Sequence, residues 1–296
     1  MSKSASLICA LITTFIWGTA FIAQDTGMDN IGPLTFNSAR FFVGFLFMLP
    51  VALIIERKKI IPEINSNKKL FFKYYMFMGV SLFLGTSLQQ AALQYTNIAN
   101  AAFFTIFYVP IVPILLFFFY KIKVHWSIWP SIVMCIIGVY LLSNFSDSQI
   151  MLGDALVILC SLFWALHIIF AGKFMKKFDL PIFYASLQSI FVFSLSIIAA
   201  YVFEEIDIQK ILLEYSSILY AGILSGGVAF TLQMYAQKNI DEAPAAIIYS
   251  LEGVFAALAG WIILNQILNL DNIIGCFLIL FAVILSQIAP SAVKKV

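Results

Sequence analysis

Residues 79–115 read GVSLFLGTSLQQAALQYTNIANAAFFTIFYVPIVPIL, and the chain uses a version of this stretch twice. When the sequence is moved forward by 143 positions, five residues fall on identical residues without a gap. The identical pairs are Gly79 with Gly222, Gln90 with Gln233, Gln94 with Gln237, Ala102 with Ala245 and Leu115 with Leu258. Self-similarity at a fixed spacing indicates a duplicated unit, here of about five helices.

The flanking segments repeat at nearly the same spacing. Residues 136–138 and 273–275 both read Ile-Ile-Gly, and Trp17 meets Trp164 at an offset of 147. At an offset of 148, residues 33, 38 and 40 (Pro, Ser and Arg) meet residues 181, 186 and 188 (Pro, Ser and Gln). Changes in loop length produce such small drifts. We therefore predict two repeats, 7–143 and 152–289, within a single transmembrane domain over residues 1–296.

The composition indicates an all-α membrane protein. The chain is 62% hydrophobic and 11% charged, whereas a soluble domain is about a quarter charged. Apolar runs long enough to span a bilayer as helices recur along the chain, and they lack the alternating polarity of membrane barrels. We predict ten transmembrane helices, at residues 7–24, 34–55, 70–94, 98–120, 127–143, 152–171, 181–203, 217–237, 244–264 and 272–289.

The basic residues predict the orientation, because cytoplasmic loops carry an excess of Lys and Arg. With the N-terminus inside, fifteen of the seventeen lie on the cytoplasmic side. These are Lys3, Arg57, Lys58, Lys59, Lys68, Lys69, Lys73, Lys121, Lys123, Lys173, Lys176, Lys177, Lys238, Lys294 and Lys295. We expect a multi-pass protein of the inner (plasma) membrane with both termini cytoplasmic. Since five spans per half is odd, the second repeat must be inverted, a plan found in many secondary transporters.

Several short motifs, in order along the chain, carry a resemblance to a known family. They are Trp17-Gly18, Ala39-Arg40-Phe41, residues 95–102 (YTNIANAA) leading to Pro110, Ala245-Ala246, residues 250–257 (SLEGVFAA) and the region of Gly275. The set resembles the drug/metabolite transporter superfamily, in its ten-helix EamA-type branch, over nearly the whole chain. The resemblance implies export of amino acids, nucleosides or other metabolites. The family's usual proline after the glutamate of span 9 is replaced here by Gly253, so the helix kink expected there would be lost.

Two charged residues within the spans are the first candidates for substrate binding. Charged groups in a membrane usually face the protein interior or water. Arg40 suits a carboxylate or another anion, although it can equally be a structural arginine. Glu252 can bind a substrate ammonium, carry a coupling proton, or pair with Arg40.

Four aromatic residues are further candidates for substrate binding. Trp17 and Trp164 are repeat-equivalent and lie away from the predicted span ends, so they can form the walls of a cavity for organic solutes. The alternative is tight packing beside small residues. Tyr108 and Tyr249 place hydroxyl groups within spans 4 and 9.

A third group of polar residues is a candidate for coupling or for a polar path. Gln90 and Gln94 share one helix face, and Gln233 and Gln237 repeat this spacing. Such amides can line a path or join helices, and we favour helix contacts because both pairs lie toward span ends. His167 is an isolated intramembrane imidazole, more typical of a packed histidine than of a proton carrier.

The sequence argues against catalysis and against cofactors. The four cysteines and two histidines have no metal-ligand spacing, and no phosphate-binding glycine motif or ATPase module is present. The positive charges flank spans and so do not indicate nucleic acid binding. We predict no enzyme activity, no metal and no cofactor. The expected partners are a small-molecule substrate, the lipid bilayer and, as a candidate coupling ion, the proton.

The predicted function is secondary transport or facilitated export of small metabolites by alternating access, with amino acids as the first guess. The alternative is a flippase or exporter for lipid-headgroup, nucleoside or cofactor substrates. A membrane-bound enzyme or receptor is a third reading.

Overall fold

A computed structural model of the chain describes residues 1–96, 98–143, 152–264 and 267–287. Asn97, residues 144–151, residues 265–266 and residues 288–296, with Lys294 and Lys295, lie outside the described residues. Helices account for nearly all of the described chain: α1 (Lys3–Thr26), α2 (Pro33–Ile55), α3 (Arg57–Ser66), α4 (Lys68–Ala92), α5 (Ile98–Thr105), α6 (Tyr108–Tyr120), α7 (Ile128–Ser143), α8 (Leu152–Met175), α9 (Pro181–Phe203), α10 (Ile208–Leu213), α11 (Tyr215–Leu219), a π-helical segment (Tyr220–Ala229), α12 (Phe230–Ala236), α13 (Glu242–Tyr249), α14 (Leu251–Leu264) and α15 (Leu270–Ser286).

The predicted all-helical membrane architecture is confirmed at this level. Among the described residues, seven helices are long and apolar enough to cross a membrane, and 128–142 and 270–286 are shorter apolar helices. Helix α4 adds a further helix of 25 residues. Each predicted span overlaps helical segments of the described chain. That these segments form ten crossings in two inverted repeats stays a prediction.

Two predicted spans are interrupted, which the sequence analysis did not anticipate. The span at 98–120 breaks between α5 and α6 at Ile106 and Phe107. Pro110 explains the break, because a proline ring clashes with the carbonyl four residues before it, here Ile106. The span at 244–264 breaks at Ser250 between α13 and α14. There the Ser250 hydroxyl donates to the Ile247 carbonyl at 2.6 Å, a local bond that bends helices. The interruption is therefore kept although Gly253 replaces the proline.

Helices α2 and α9 form an antiparallel pair whose ends are joined by two glutamates. Both helices have 23 residues and begin with proline. Glu56, which follows α2, accepts hydrogen bonds from the first backbone N–H groups of α9. Glu204, which follows α9, accepts hydrogen bonds from the first backbone N–H groups of α2. Each carboxylate thus binds the positive end of the neighbouring helix dipole. We call this arrangement the reciprocal cap.

Helices α7 and α15 approach each other closely at two glycines. A Cβ atom on Gly138 would lie 2.8 Å from the Gly275 carbonyl oxygen and 2.7 Å from the side chain of Ile279. Small residues permit such close backbone contact between membrane helices, where packing rather than hydrophobic burial drives association. These two helices stand beside the broken segments α5 and α13, and so support the elements that carry the site.

Candidate functional site

A central cavity lies between the two halves of the chain. Its lining comes from helices before and after the midpoint of the chain, and the space between these side chains, counted with the solvent at its mouth, is about 590 Å³. The lining residues are Trp17, Phe21, Gln24, Arg40, Phe41, Thr86, Gln89, Thr105, Tyr108, Trp164, Ile168, Ser225, Gly226, Phe230, Gln233, Tyr249 and Glu252. All six of the predicted substrate-binding residues are among them.

Aromatic rings form the walls of the cavity. The rings of Trp17 and Trp164 have centroids 6.3 Å apart. Tyr249 meets Trp17 edge to face at 5.5 Å, and Phe230 stacks on Trp164 at 6.3 Å. Offset and edge-to-face pairs of this kind are stable arrangements, and the exposed ring faces can contact an organic solute or a cation.

Arg40 brings a buried positive charge to this cavity. Its side chain is 4% exposed, and its Nε atom donates a 2.8 Å hydrogen bond to Asn37 Oδ1 one turn earlier in α2. The guanidinium group also lies over the rings of Phe36 and Phe41, at 5.5 and 5.1 Å. Within the described part of the chain, no carboxylate lies within 4.0 Å of it. These contacts hold the guanidinium in place but do not neutralise its charge.

Glu252 brings a buried carboxyl group to the same cavity. It lies two residues after the break at Ser250, and the Tyr108 hydroxyl donates a 3.3 Å hydrogen bond to its Oε1 atom. Helix α1 packs closely here, since a Cβ atom on Gly18 would lie 2.6 Å from the Glu252 carbonyl oxygen. The described residues form no ion pair between Glu252 and Arg40. The pairing considered from the sequence is therefore not made in this conformation.

The four repeated glutamines have different surroundings, although Gln233 and Gln237 repeat the spacing of Gln90 and Gln94. Gln90 donates to the Gln24 carbonyl at 2.7 Å and joins α4 to α1. Gln233 lines the cavity and donates to Gln237, which donates to the Ile168 carbonyl at 2.8 Å and joins α12 to α8. Gln94 lies beyond the end of α4 and is exposed. Only Gln233 of the four lines the cavity.

His167 lies behind the cavity wall. The side chain is fully buried, and its Nε2 atom is 2.5 Å from Gln188 Oε1. Its ring touches Trp164 and Phe230, with centroids 6.1 and 5.6 Å away. His167 is absent from the cavity lining, so in this conformation it contacts the aromatic wall and not the space inside it.

Sequence reasoning missed several cavity residues. Gln89 donates a 3.0 Å hydrogen bond to Thr105 across the α4–α5 contact, and Ser225 and Gly226 enter from the π-helical segment. Gln89 adjoins the repeated Gln90, which was a usable signal. Thr105, Ser225 and Gly226 gave no signal in the sequence. The wide turn of the π-helix and the break after Thr105 determine which of these side chains face the cavity.

Ion pairs lie at the lysine-rich ends of the helices, outside the cavity. Lys59 donates to Asp179 at 2.6 Å, and Lys238 binds the other carboxylate oxygen of Asp179. Lys176 pairs with Asp241 at 2.9 Å and with Glu242 at 3.3 Å. The pairs of Lys176 link the end of α8 to the start of α13. The pairs of Asp179, two residues before α9, link that segment to α3 and to the turn after α12.

Comparison with known proteins identifies relatives over nearly the whole chain. The model of the EamA-like transporter family matches twice, at residues 4–144 and 151–287. An uncharacterized transporter of Archaeoglobus fulgidus is 32% identical over 282 residues, covering 95% of this chain and 85% of that protein.

More distant relatives also match this chain over nearly its whole length. The uncharacterized transporter YoaV of Bacillus subtilis is 23% identical, with 90% of this chain and 91% of that protein covered. A WAT1-related protein of Arabidopsis thaliana is 23% identical, with 94% and 88% covered. One crystal structure superposes with a TM-score of 0.79 over 97% of this chain and 98% of the other, at 14% identity, which shows a shared fold.

Proposed function

Since the chain belongs to the EamA-like transporter family, and so is a multi-pass membrane transporter of small solutes, we propose that it moves small metabolites by secondary transport or facilitated export. The first class of substrate is the amino acids. The observation that carries this proposal is the pair of buried charges, Arg40 and Glu252, which line one aromatic cavity without pairing with each other. A zwitterion supplies a carboxylate to the first and an ammonium to the second.

The energetics favour a charged solute. An unpaired charge inside a membrane protein is expensive and usually marks a pathway or a binding site. Arg40 offers a planar donor group that suits a carboxylate. Glu252 and Tyr108 together offer an acceptor and a hydroxyl. The rings of Trp17 and Trp164 would contact the remaining part of the solute.

We propose that the chain consists of two inverted five-helix repeats and crosses the membrane ten times. The family model matches each half separately. The reciprocal cap supports the proposal, because Glu56 and Glu204 are 148 positions apart, as are the first prolines of α2 and α9. An antiparallel pair of equivalent helices is what an inverted repeat produces.

Alternating access then follows from rocking of the two halves about the cavity. In this conformation, the ion pair between Lys59 and Asp179 joins the two halves at the lysine-rich side. It would have to separate when the cavity opens there. Glu252 is also the candidate for proton coupling, because among the described residues it is the one buried acid that lines the cavity.

Solute counterflow with purified protein in liposomes tests the proposed function. Vesicles preloaded with one unlabelled amino acid, nucleoside or cofactor receive trace radiolabelled solute outside. We expect transient accumulation of label for a zwitterionic amino acid, at a rate well above that of protein-free vesicles. Movement of labelled lipid alone would instead indicate a flippase, and chemical conversion of the solute would indicate an enzyme. Either result would contradict the proposal.

The proposed orientation places both termini in the cytoplasm at the inner membrane. It is tested by single cysteines at Asp29 and Lys58, in a variant that lacks Cys9, Cys135, Cys160 and Cys276. A membrane-impermeant maleimide added to intact cells should label position 29 and leave position 58 unlabelled. Labelling of position 58 alone would reverse the assignment.

A further inference from the structure

The corner formed by α3 and the first turns of α4 carries a cluster of exposed cations. They are Arg57, Lys58, Lys68, Lys69 and Lys73, and none has a carboxylate within 4.0 Å in the part of the chain that the structure describes. Glu63 is the one acidic residue between positions 57 and 73. We call these residues the basic corner. Such clusters next to a membrane helix attract anionic lipid headgroups.

Helix α3 is amphipathic in a way that suits the membrane interface. Ile60 and Ile64, one turn apart, pack against the cluster around Phe71 and Phe174. Ile61 lies on another face and is 68% exposed. It shares that face with Lys58, three residues earlier. In interfacial helices, an apolar side chain enters the acyl boundary while a neighbouring basic side chain contacts a phosphate. Ile61 and Lys58 are placed for these two roles.

The other repeat provides an internal comparison. At the offset of 148, residues 56–60 (ERKKI) correspond to residues 204–208 (EEIDI). The capping glutamate and the isoleucine are the same, but Arg57 becomes Glu205 and Lys59 becomes Asp207. Leu212 on α10 is 63% exposed, but it corresponds to the packed Ile64, whereas the exposed Ile61 corresponds to Gln209. The cations and the exposed isoleucine therefore belong to the first corner and not to the part of the fold that the two repeats share.

We propose that the basic corner binds the headgroups of anionic phospholipids, with Ile61 inserted among the first acyl carbons. This requires only that α2 and α4 cross the membrane, and it is independent of the transported solute. Each basic residue near an anionic surface contributes about fivefold in affinity. A headgroup in contact with two of the four cations of Arg57, Lys58, Lys68 and Lys69 should therefore prefer this corner by tenfold or more.

Native mass spectrometry of the purified protein tests the proposal. The protein in detergent is titrated with phosphatidylglycerol or with phosphatidylcholine of the same acyl chains. We expect the first phosphatidylglycerol to bind about tenfold more tightly than phosphatidylcholine. A variant with glutamine at Arg57, Lys58, Lys68 and Lys69 should bind the two lipids equally, within about twofold. No preference in the unchanged protein would overturn the proposal, and the cations would then act in topology alone.

A charge-matched variant distinguishes lipid binding at the basic corner from a general effect of the protein's positive charge. Glutamine at Lys3, Lys121, Lys123 and Lys177, which are exposed, removes the same charge from the same predicted side. It should keep the tenfold preference, and an equal loss in both variants would contradict a defined site. If the corner variant does not fold, Ile61→Asn retains every cation. It should weaken both lipids severalfold, and unchanged binding would contradict insertion of α3.

Discussion

The hydrogen bonds of the reciprocal cap predict how much each of its two glutamates contributes to the free energy of unfolding. Glu204 accepts hydrogen bonds from the N–H groups of Leu34 and Thr35, both at 2.8 Å, and from the Thr35 hydroxyl at 2.7 Å. A hydrogen bond to a charged group contributes about 1.5–3 kcal/mol, and a favourable charge at a helix N-terminus about 0.3–1 kcal/mol. Glu204→Gln removes the charge but keeps one acceptor oxygen. We expect it to lower the free energy of unfolding by about 1–2 kcal/mol.

Glu56 should behave in the same way at the other end of the helix pair. It accepts hydrogen bonds from the N–H groups of Ile182 at 3.1 Å and Phe183 at 2.8 Å, so Glu56→Gln should also cost about 1–2 kcal/mol. A helix of 23 residues separates the two carboxylates by about 34 Å, at 1.5 Å per residue. Effects of sites this far apart add, so the double variant should lose about 2–4 kcal/mol.

The assay is reversible unfolding in mixed micelles as the mole fraction of dodecyl sulfate rises, followed by the helical circular dichroism signal. Glu205→Gln is the matched control, because Glu205 is the exposed neighbour of Glu204 and should change the free energy of unfolding by less than about 0.5 kcal/mol. Single variants as stable as this control would refute the reasoning. A double variant with the cost of only one single variant would refute the independence of the two ends.

Three further changes have predicted effects on stability. In the same unfolding assay, Gly138→Ala should cost about 1–3 kcal/mol, because the added Cβ would lie 2.8 Å from the Gly275 carbonyl oxygen. Gly253→Ala, where the nearest atom would be 3.6 Å away, should be neutral or stabilising by up to about 1 kcal/mol. Hydrogen bonds from Lys238 and Lys59 hold the pKa of Asp179 below its usual value, so this stabilisation is present above the unfolded pKa of about 3.9 and is lost as the pH falls through the lower folded value. Asp179→Asn should therefore cost at most about 1 kcal/mol at pH 7, less in about 1 M salt, and nothing well below the folded pKa; an equal cost at every pH would contradict the ion-pair origin.

The sequence predicted the helices well, because the length of an apolar run and the repetition of residues between two halves can both be read directly from a single sequence. The breaks at Phe107 and Ser250 were missed, although Pro110 gave a signal for the first. The second depends on a serine side chain that bonds to its own helix, and the same residue elsewhere faces solvent or a neighbour. Periodicity alone does not distinguish these cases.

Equivalent positions in the two repeats did not acquire equivalent roles. Gln94 and Gln237 occupy the same position of the repeat, yet the first is exposed and the second joins α12 to α8. Arg40 lines the cavity, whereas Gln188, its counterpart, bonds to His167 behind the wall. These differences arise from packing between distant segments, which a single sequence does not reveal.

The central claim is that the unpaired charges of the cavity recognise the transported solute. Counterflow of the identified solute by Arg40→Lys and Glu252→Gln tests it most directly, because lysine keeps the charge without the planar donor group and glutamine keeps the shape without the charge. Gln94→Ala, at an exposed position outside the cavity, is the control. We predict that each cavity variant folds, reaches the membrane and loses at least about tenfold in apparent affinity or rate, which corresponds to about 1.4 kcal/mol, while the control does not change. Unchanged transport by both cavity variants would mean that neither charge contacts the solute, and would contradict the account.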